Sequence, residues 1–396
     1  MTAVFIISIL LFLVYAVLLM YYRQSWLSIP PFNFSVRGAS PTTRISVIIP
    51  ARNEEQNISA CLDSLCAQSY AKHLFEVIVV NDHSTDRTVE LVNGYASQNI
   101  KCIDLADYID STLNAYKKKA IEVAIQQSTG DLIVTTDADC ILQVNWLQTI
   151  AAFYEAYQPA FIAAPVLINC SNGFIEKFQA LDFMVLQGIT GASVHKKIHS
   201  MCNGANLAYE KTAFEEVGGF KDIDNIASGD DMLLMHKIYK LYPDRVLFLK
   251  SKDAIVQTAP VKTIRQFFDQ RIRWASKASL FDDKRIFTVL LLVYLFNLVL
   301  ILLPIISLFN HTTLLIINLP TGQAGYQLSI IQLWLWLLFL KTLLELFFLF
   351  PVASFFGKQN MLKIFPVMQP FHIIYTVIAG FLGKFGTYTW KDRKVK

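Results

Sequence analysis

The chain is short of charge and has no patterned cysteine. Six cysteines stand in 396 residues, and Cys61, Cys66, Cys102, Cys140, Cys170 and Cys202 form no C-x-x-C pair. That excludes a disulfide framework and a zinc ribbon, and it suits reduced thiols of a cytoplasm. No basic stripe interleaves with aromatics, and the net charge is only +4, so nucleic acid is not an expected partner. There is no internal repeat and no low-complexity segment, which removes solenoids and disordered arrays. No A-x-A-like site follows the apolar N-terminus and no charge precedes it. That run is therefore expected to be a retained anchor rather than a signal peptide.

What the sequence has in excess is apolar surface. Its 54% hydrophobic content and mean hydropathy of +0.41 exceed what soluble domains carry. Ala3 to Tyr22 is one uninterrupted run of spanning length, Ile286 to Phe309 is a second, and Leu328 to Phe350 is a third. Lys341 and Glu345 interrupt the third. Four residues apart, they share a helix face. They read either as a head-group or acceptor contact or as a self-neutralised or snorkelling pair in a helix bundle. Arg23, Arg37 and Arg44 after the first run predict a cytoplasmic middle domain, and the uncharged loop from Asn310 to Ser329 suits the opposite side. Lys358 and Lys363 return the chain. Residues 365–383 are apolar but hold Pro366, Gln369, Pro370 and His372. A crossing there would leave the basic tail from Trp390 outside, so the segment is read as spanning or re-entrant, with a re-entrant or interfacial course preferred. The expected setting is a bacterial inner membrane.

The middle of the chain alternates strands with helices. Arg44 to Pro50, Phe75 to Val80, Ile100 to Leu105, Leu132 to Thr136 and Phe161 to Leu167 read as strands. Asn57 to Gln68 and Tyr116 to Gln127 read as helices. This is the pattern of an α/β fold with a parallel, doubly wound sheet. Ligands of such sheets bind beyond the carboxyl ends of the strands. Three of those ends carry acids or amides: Asn53 with Glu54, Asp82, and Asp137 with Asp139. Exposed loops account for one polar strand end, but less well for three in succession. Two carboxylates one residue apart suit a magnesium or manganese ion shared with substrate phosphates. Asp230 and Asp231 form a second acidic pair, at the start of a helix from Met232 to Leu241, where helix capping is the plain alternative.

These pieces together resemble the family 2 glycosyltransferases, over about residues 44 to 280. The matching residues are Val47 to Glu55 (VIIPARNEE), Val80 to Asp86 (VNDHSTD), Asp137-Ala-Asp139, Asn203 to Asn206 (NGAN), Gly218 to Phe220, Gly229-Asp230-Asp231 and Gln270 to Trp274 (QRIRW). The resemblance implies a GT-A fold, a Rossmann-like mixed sheet that binds a nucleotide sugar. It implies donor contacts at Pro50, Asn53, Glu54, Asp82 and Asp137, with Lys118 and Lys119 near the phosphates. Asp139 becomes the ligand of Mg2+ or Mn2+. Asp231 becomes the catalytic base beside Asp230, and Asn206, Gln270, Arg273 and Trp274 become acceptor contacts. The family often has Asp where this chain has Asn81, which touches a minor nucleotide contact.

The expected arrangement is an anchor at 1–24, a linker at 25–43, the GT-A domain at 44–262, an amphipathic interfacial helix at 263–284 and a membrane region at 285–396. The expected activity is an inverting, metal-dependent transfer of a hexosyl-type sugar. The donor would be a UDP- or GDP-sugar and the acceptor a lipid or lipid-linked saccharide at the cytoplasmic face. A processive polysaccharide synthase is the alternative, and a non-catalytic membrane scaffold with this fold is a further one.

Overall fold

The structure is a computed structural model. It describes residues 2–34, 40–109, 114–171, 173–198, 201–226, 228–277, 283–309, 313–317, 326–385, 388–390 and 393–395. Arg37 of the linker, Asn310 and residues 318–325 of the uncharged loop, and Lys391, Asp392 and Lys396 of the tail lie outside them.

In chain order the elements are α1 (Thr2–Ser28), β1 (Ile45–Ala51), α2 (Ile58–Cys66), β2 (Phe75–Asn81), α3 (Thr88–Asn93), β3 (Ile100–Asp104), α4 (Tyr116–Gln127), β4 (Leu132–Thr135), α5 (Trp146–Tyr157), β5 (Phe161–Ala163), β6 (Val166–Ile168), α6 (Phe174–His195), β7 (Leu207–Glu210), α7 (Lys211–Glu216), α8 (Met232–Leu241), β8 (Val246–Phe248), β9 (Val256–Thr258), α9 (Ile264–Ala275), α10 (Lys284–Phe309), β10 (Thr313–Ile317), β11 (Tyr326–Ser329), α11 (Ile330–Phe355), α12 (Phe365–Phe385), β12 (Tyr388–Trp390) and β13 (Arg393–Val395). They fall into two compact units. One holds Ser25–Gly173 and Leu186–Pro260, and the other holds Met1–Gln24, Phe174–Val185 and Val261–Lys396. The expected span 44–262 is thus divided, because the first half of α6 groups with the apolar helices.

The first unit is built on a seven-stranded sheet of order β3-β2-β1-β4-β7-β5-β8. Strands β1 to β4 run parallel, and β7 is antiparallel to both β4 and β5. The sheet is therefore mixed, whereas strand–helix alternation alone predicts a parallel one. β2 and β4 are buried along their whole length, which explains their unbroken β-branched runs. Ile48 pairs with Thr135 and Ala51 with Asn81, so the carboxyl ends of β1, β2 and β4 finish side by side. Pro50 stands past the last β1–β4 pair, where a missing N–H costs no bond to β4. The stretch Phe161 to Leu167, expected as one strand, is broken at Ala164-Pro165 into β5 and β6. β6 pairs instead with β9.

At the other end of the sheet Glu76 is a buried staple. It accepts from Ser46 Oγ at 2.8 Å, from Thr129 N at 2.6 Å and Oγ1 at 2.7 Å, and from Lys101 Nζ at 2.9 Å. Burial pushes its carboxyl up, but these donors outweigh that and bring its pKa down to about 2.

The second unit contains helices long and apolar enough to cross a membrane: α1, α10, α11 and the segment Gln359–Phe385 that includes α12. α12 is one continuous helix with Pro370 inside it. No turn interrupts it between residues 365 and 383. Its polar residues have a packing reason. Lys341 Nζ, fully buried, reaches Glu345 Oε1 at 2.6 Å and Gln369 Oε1 at 2.8 Å. Glu345 also accepts from Gln369 Nε2 and from Tyr15 Oη. The Lys341–Glu345 pair is thus self-neutralised within α1, α11 and α12 rather than open to a head group.

Glu76 generates a prediction. Its folded pKa lies below the unfolded value of about 4.3. Its contribution is therefore present above about pH 4.5 and disappears as the pH falls toward 2. Glu76→Gln is expected to lower stability at pH 7 by roughly 1–3 kcal/mol and to flatten the loss below pH 4.5. Thermal melts of both proteins across that range check it. A mutant as stable as the parent at pH 7 contradicts the staple.

Candidate active site

Three loops at the strand ends are tied to one another before any ligand is considered. Asp82 N donates to Ala51 O at 2.8 Å, joining the β2 end to the β1 end. Asn53, in the left-handed region at φ 52°, accepts from Thr85 N at 2.8 Å through its side-chain oxygen. Glu54 accepts from Asn57 Nδ2 at 2.9 Å, and its own N–H meets Thr88 Oγ1 at 2.8 Å. Asn53 and Glu54 thus brace the loop walls. Asp82 is buried, with His83 Nδ1 at 3.0 Å and Arg52 Nη1 at 3.8 Å from its carboxylate. Asn81 accepts from Ser84 N at 2.9 Å and reaches Asp104 at 3.2 Å. An aspartate there would face the Asp104 carboxylate instead of donating to it.

The acids after β4 do not stay on one side. The chain turns at once, with Cys140 N bonded to Asp137 O at 3.1 Å, so the two carboxylates take different partners. Asp137 Oδ1 meets Lys117 Nζ at 2.7 Å, and the same ammonium lies 3.2 Å from Asp230 Oδ2. Asp139 Oδ2 accepts from Thr258 Oγ1 at 3.1 Å, and Oδ1 receives the Cys140 thiol at 3.7 Å. Burial works against the charge on Lys117, but Asp137, Asp230 and Asp231 outweigh it and hold the lysine above its ordinary value. The field of the acids is felt by Cys61. Burial first, then Asp139, Asp137 and Glu54, push its thiol up to about 12.

Three consecutive lysines open α4, where the helix dipole disfavours cations. Each has its own compensation. Lys117 takes the acids. Lys118 is buried and donates to Ile223 O at 2.5 Å and Ile226 O at 2.9 Å. Lys119 pairs with Glu122 at 2.9 Å, half-exposed. Lys118 and Lys119 are the two lysines expected on the phosphate side. Lys118 is spent on a loop, Lys119 on its own helix, and Lys117 is the lysine at the acids. Helical phase carries part of this: Lys119 shares a face with Glu122 and Gln126, while Lys117 lies above Ala120, Ile121 and Ala124.

Asp231 caps α8, accepting from Met232 N at 2.7 Å, and its other oxygen accepts from Gly204 N at 3.2 Å. Gly204 fits closely there: a Cβ on it would lie 3.1 Å from Asp230 Oδ2 and 3.2 Å from Lys117 Nζ. Asn206, expected at the acceptor, is fully buried. It accepts from Trp146 Nε1 at 3.0 Å and donates to Pro165 O and Ala254 O at 2.8 Å each. Both of its N–H donors and its carbonyl are engaged in the core. Gln270, Arg273 and Trp274 lie on α9, in the other unit.

Among the described residues no three His, Cys, Asp or Glu side chains gather as a metal cage. The donors present fit a different kind of site. Asp139 is a carboxylate held by the neutral Thr258 hydroxyl and Cys140 thiol in a field made negative by its neighbours. Such a group suits a divalent cation whose remaining ligands are phosphate oxygens and water.

Residues 46–218 match the family model described as "Glycosyl transferase family 2". This stretch is a family 2 glycosyltransferase domain. The probable glycosyltransferase YdaM of Bacillus subtilis is 28% identical over 241 residues, 59% of this chain and 54% of that protein. An N-acetylglucosaminyltransferase of Rhizobium meliloti is 27% identical over 282 residues, 66% of this chain and 63% of that protein. The chain thus spans a little over half the length of these relatives. Among solved structures, the mannosyltransferase PcManGT from Pyrobaculum calidifontis, in complex with GDP-Man and Mn2+, covers 96% of this chain and 97% of its own, at 17% identity and a TM-score of 0.51. The likeness is one of fold, and the family 2 domain here is GT-A.

The lysine assignment is testable in the purified protein. Lys117→Met is expected to weaken binding of UDP or GDP, each offered with Mn2+, about tenfold or more, the worth of a charge-assisted contact to a phosphate. Lys119→Met should leave affinity unchanged, and Lys118→Met should lower the melting temperature without changing affinity. Calorimetric titration and thermal melts check all three. Equal losses of affinity at Lys117 and Lys119 contradict the assignment.

Proposed function

We propose that the protein is a membrane-embedded inverting glycosyltransferase. It moves a sugar from a nucleoside diphosphate donor to a lipid or lipid-linked saccharide at the cytoplasmic face of a membrane. The observation that carries this reading is the ammonium of Lys117 set between Asp137 and Asp230, with Asp231 next to Asp230 and Asp139 two residues after Asp137 in the chain. A nucleoside diphosphate brings negative charge to an acidic site, so it needs cations. Lys117 is one, and Mg2+ or Mn2+ at Asp139 would supply Lewis-acid neutralisation of the leaving diphosphate. The cytoplasmic orientation rests on Arg23 and Arg44, and the membrane-side acceptor on the position of Gln270, Arg273 and Trp274 just before α10.

In the reaction the acceptor oxygen bonds to the anomeric carbon as the bond from that carbon to the diphosphate breaks. The acceptor proton goes to a carboxylate, and Asp231 is the one assigned. Two backbone N–H groups, of Gly204 and Met232, fix its orientation. Asp82 and the braced loops around Asn53 and Glu54 hold the nucleoside, and Lys117 steadies the diphosphate as charge grows on it.

A second reading, a processive synthase, is favoured by one relative. The poly-beta-1,6-N-acetyl-D-glucosamine synthase of Staphylococcus epidermidis is 23% identical over 62% of this chain and 58% of its own. A product ladder selects that reading, and a single added sugar selects simple transfer. UDP-N-acetylglucosamine is the first donor to try, since two of the relatives carry N-acetylglucosamine in their names.

Asp231→Asn is expected to cut transfer by about 10²–10⁴-fold with donor affinity unchanged. Asp230→Asn removes a partner of Lys117 rather than the proton acceptor, and should keep kcat within about tenfold of the parent. Donor Kd by calorimetry and kcat for both variants decide it. Equal losses in the two variants, or loss of donor binding in Asp231→Asn, overturn the base assignment.

A further inference from the structure

We infer that Asp182, on the first half of α6, is a positioning residue that sets the side chains of the Q-x-x-R-W motif. The inference rests on the reading of that motif as the acceptor's binding element. Asp182 and Arg271 are an ion pair with side chains only 3% and 4% exposed. One oxygen of Asp182 accepts from Arg271 Nε at 3.1 Å and Nη2 at 2.8 Å. The other accepts from Tyr375 Oη of α12, and His372 Nε2 stands 3.8 Å from it. The third guanidinium nitrogen, Nη1, donates to Gln270 Oε1 at 2.7 Å. All three nitrogens are thereby assigned and the plane of the guanidinium is fixed.

That plane is what the motif leans on. Arg271 lies 4.3 Å over the Trp274 ring and 4.6 Å over the Phe267 ring, its neighbours at i+3 and i−4 on one face of α9. Phe183, next to Asp182, lies 6.0 Å from Trp274 on another side. Gln270, with its oxygen held by Arg271, has its NH2 left to donate. Arg271 is one of the unspecified positions of the motif, yet it stands between Asp182 and two of the motif's named residues. A buried ion pair is poor evidence for stability, since apolar replacements of the same volume often serve as well. Its three-way geometry is better explained as orientation: Asp182 sets Arg271, and Arg271 sets Trp274 and Gln270.

The test uses the full chain in detergent micelles, labelled with 5-fluorotryptophan. The Trp274 19F resonance is identified by its loss in Trp274→Phe. Asp182→Asn and Arg271→Gln should move or broaden that resonance and leave the other tryptophans in place. In vesicles made from the expression host's total lipid extract, with UDP-N-acetylglucosamine or whichever nucleotide sugar of a panel is turned over, Asp182→Asn should raise the apparent KM for lipid about 10- to 100-fold. Donor Kd should stay unchanged. The double variant Asp182→Leu/Arg271→Met removes both buried charges together, so it folds where a single variant fails, and it should show the same resonance shift. A Trp274 resonance that stays put in the folded variants overturns the proposal. So does an unchanged lipid KM in Asp182→Asn where Trp274→Ala raises it. If Trp274→Ala leaves the lipid KM alone, the acceptor reading of the motif fails instead, and the resonance alone decides the role of Asp182.

Discussion

The site is organised around one ammonium among carboxylates. Lys117 comes from α4, Asp137 from the turn after β4, and Asp230 from the loop that leads into α8. These segments are far apart in sequence and carry charges that would repel or waste solvation if left alone. Bringing Asp137 and Asp230 together without Lys117 would be costly in a partly dry pocket, and burying Lys117 without them would be costly as well. Gly204 completes the arrangement by leaving out the one carbon that would press on both Lys117 and Asp230. The consequence for function is a site in which one lysine holds carboxylates from two distant loops together. A diphosphate with its metal is the kind of ligand that matches this.

The same constraint governs the apolar unit. Lys341, Glu345, Gln369 and Tyr15 bury two charges among predominantly apolar helices, and each charged group finds a partner on another helix or one turn away. Asp182 and Arg271 follow the rule with a larger set of partners. In both clusters polar groups fix which helix faces meet, where apolar packing alone is permissive about rotation.

Much of this was readable in advance. The buried runs of β1, β2 and β4 announce themselves because parallel strands covered on both faces are apolar throughout. The limits of α4 and α8 follow from helical spacing and from Asp at an N-cap. The direction of β7 was not readable, since the four residues Leu207–Glu210 carry no local mark of which way they pair. Nor was the role of Asn206, whose Trp146 partner is 60 residues away. Lys117 could be separated from Lys119 by helical phase, but separating it from Lys118 needs the positions of Ile223 and Ile226, which only the folded loop supplies. Gln369 and His372 look misplaced in a membrane until their partners on other elements, Lys341 and Asp182, are known.

The measurement that bears most directly on the account is metal-dependent release of nucleoside diphosphate by the purified protein. With a nucleotide sugar as the only donor, release should stop on addition of EDTA and return with excess Mn2+ or Mg2+. Asp139→Asn, still folded by its melting curve, should not recover at any metal concentration. Release that ignores EDTA, or an Asp139→Asn variant that matches the parent at low and saturating Mn2+ alike, would contradict a metal held at Asp139.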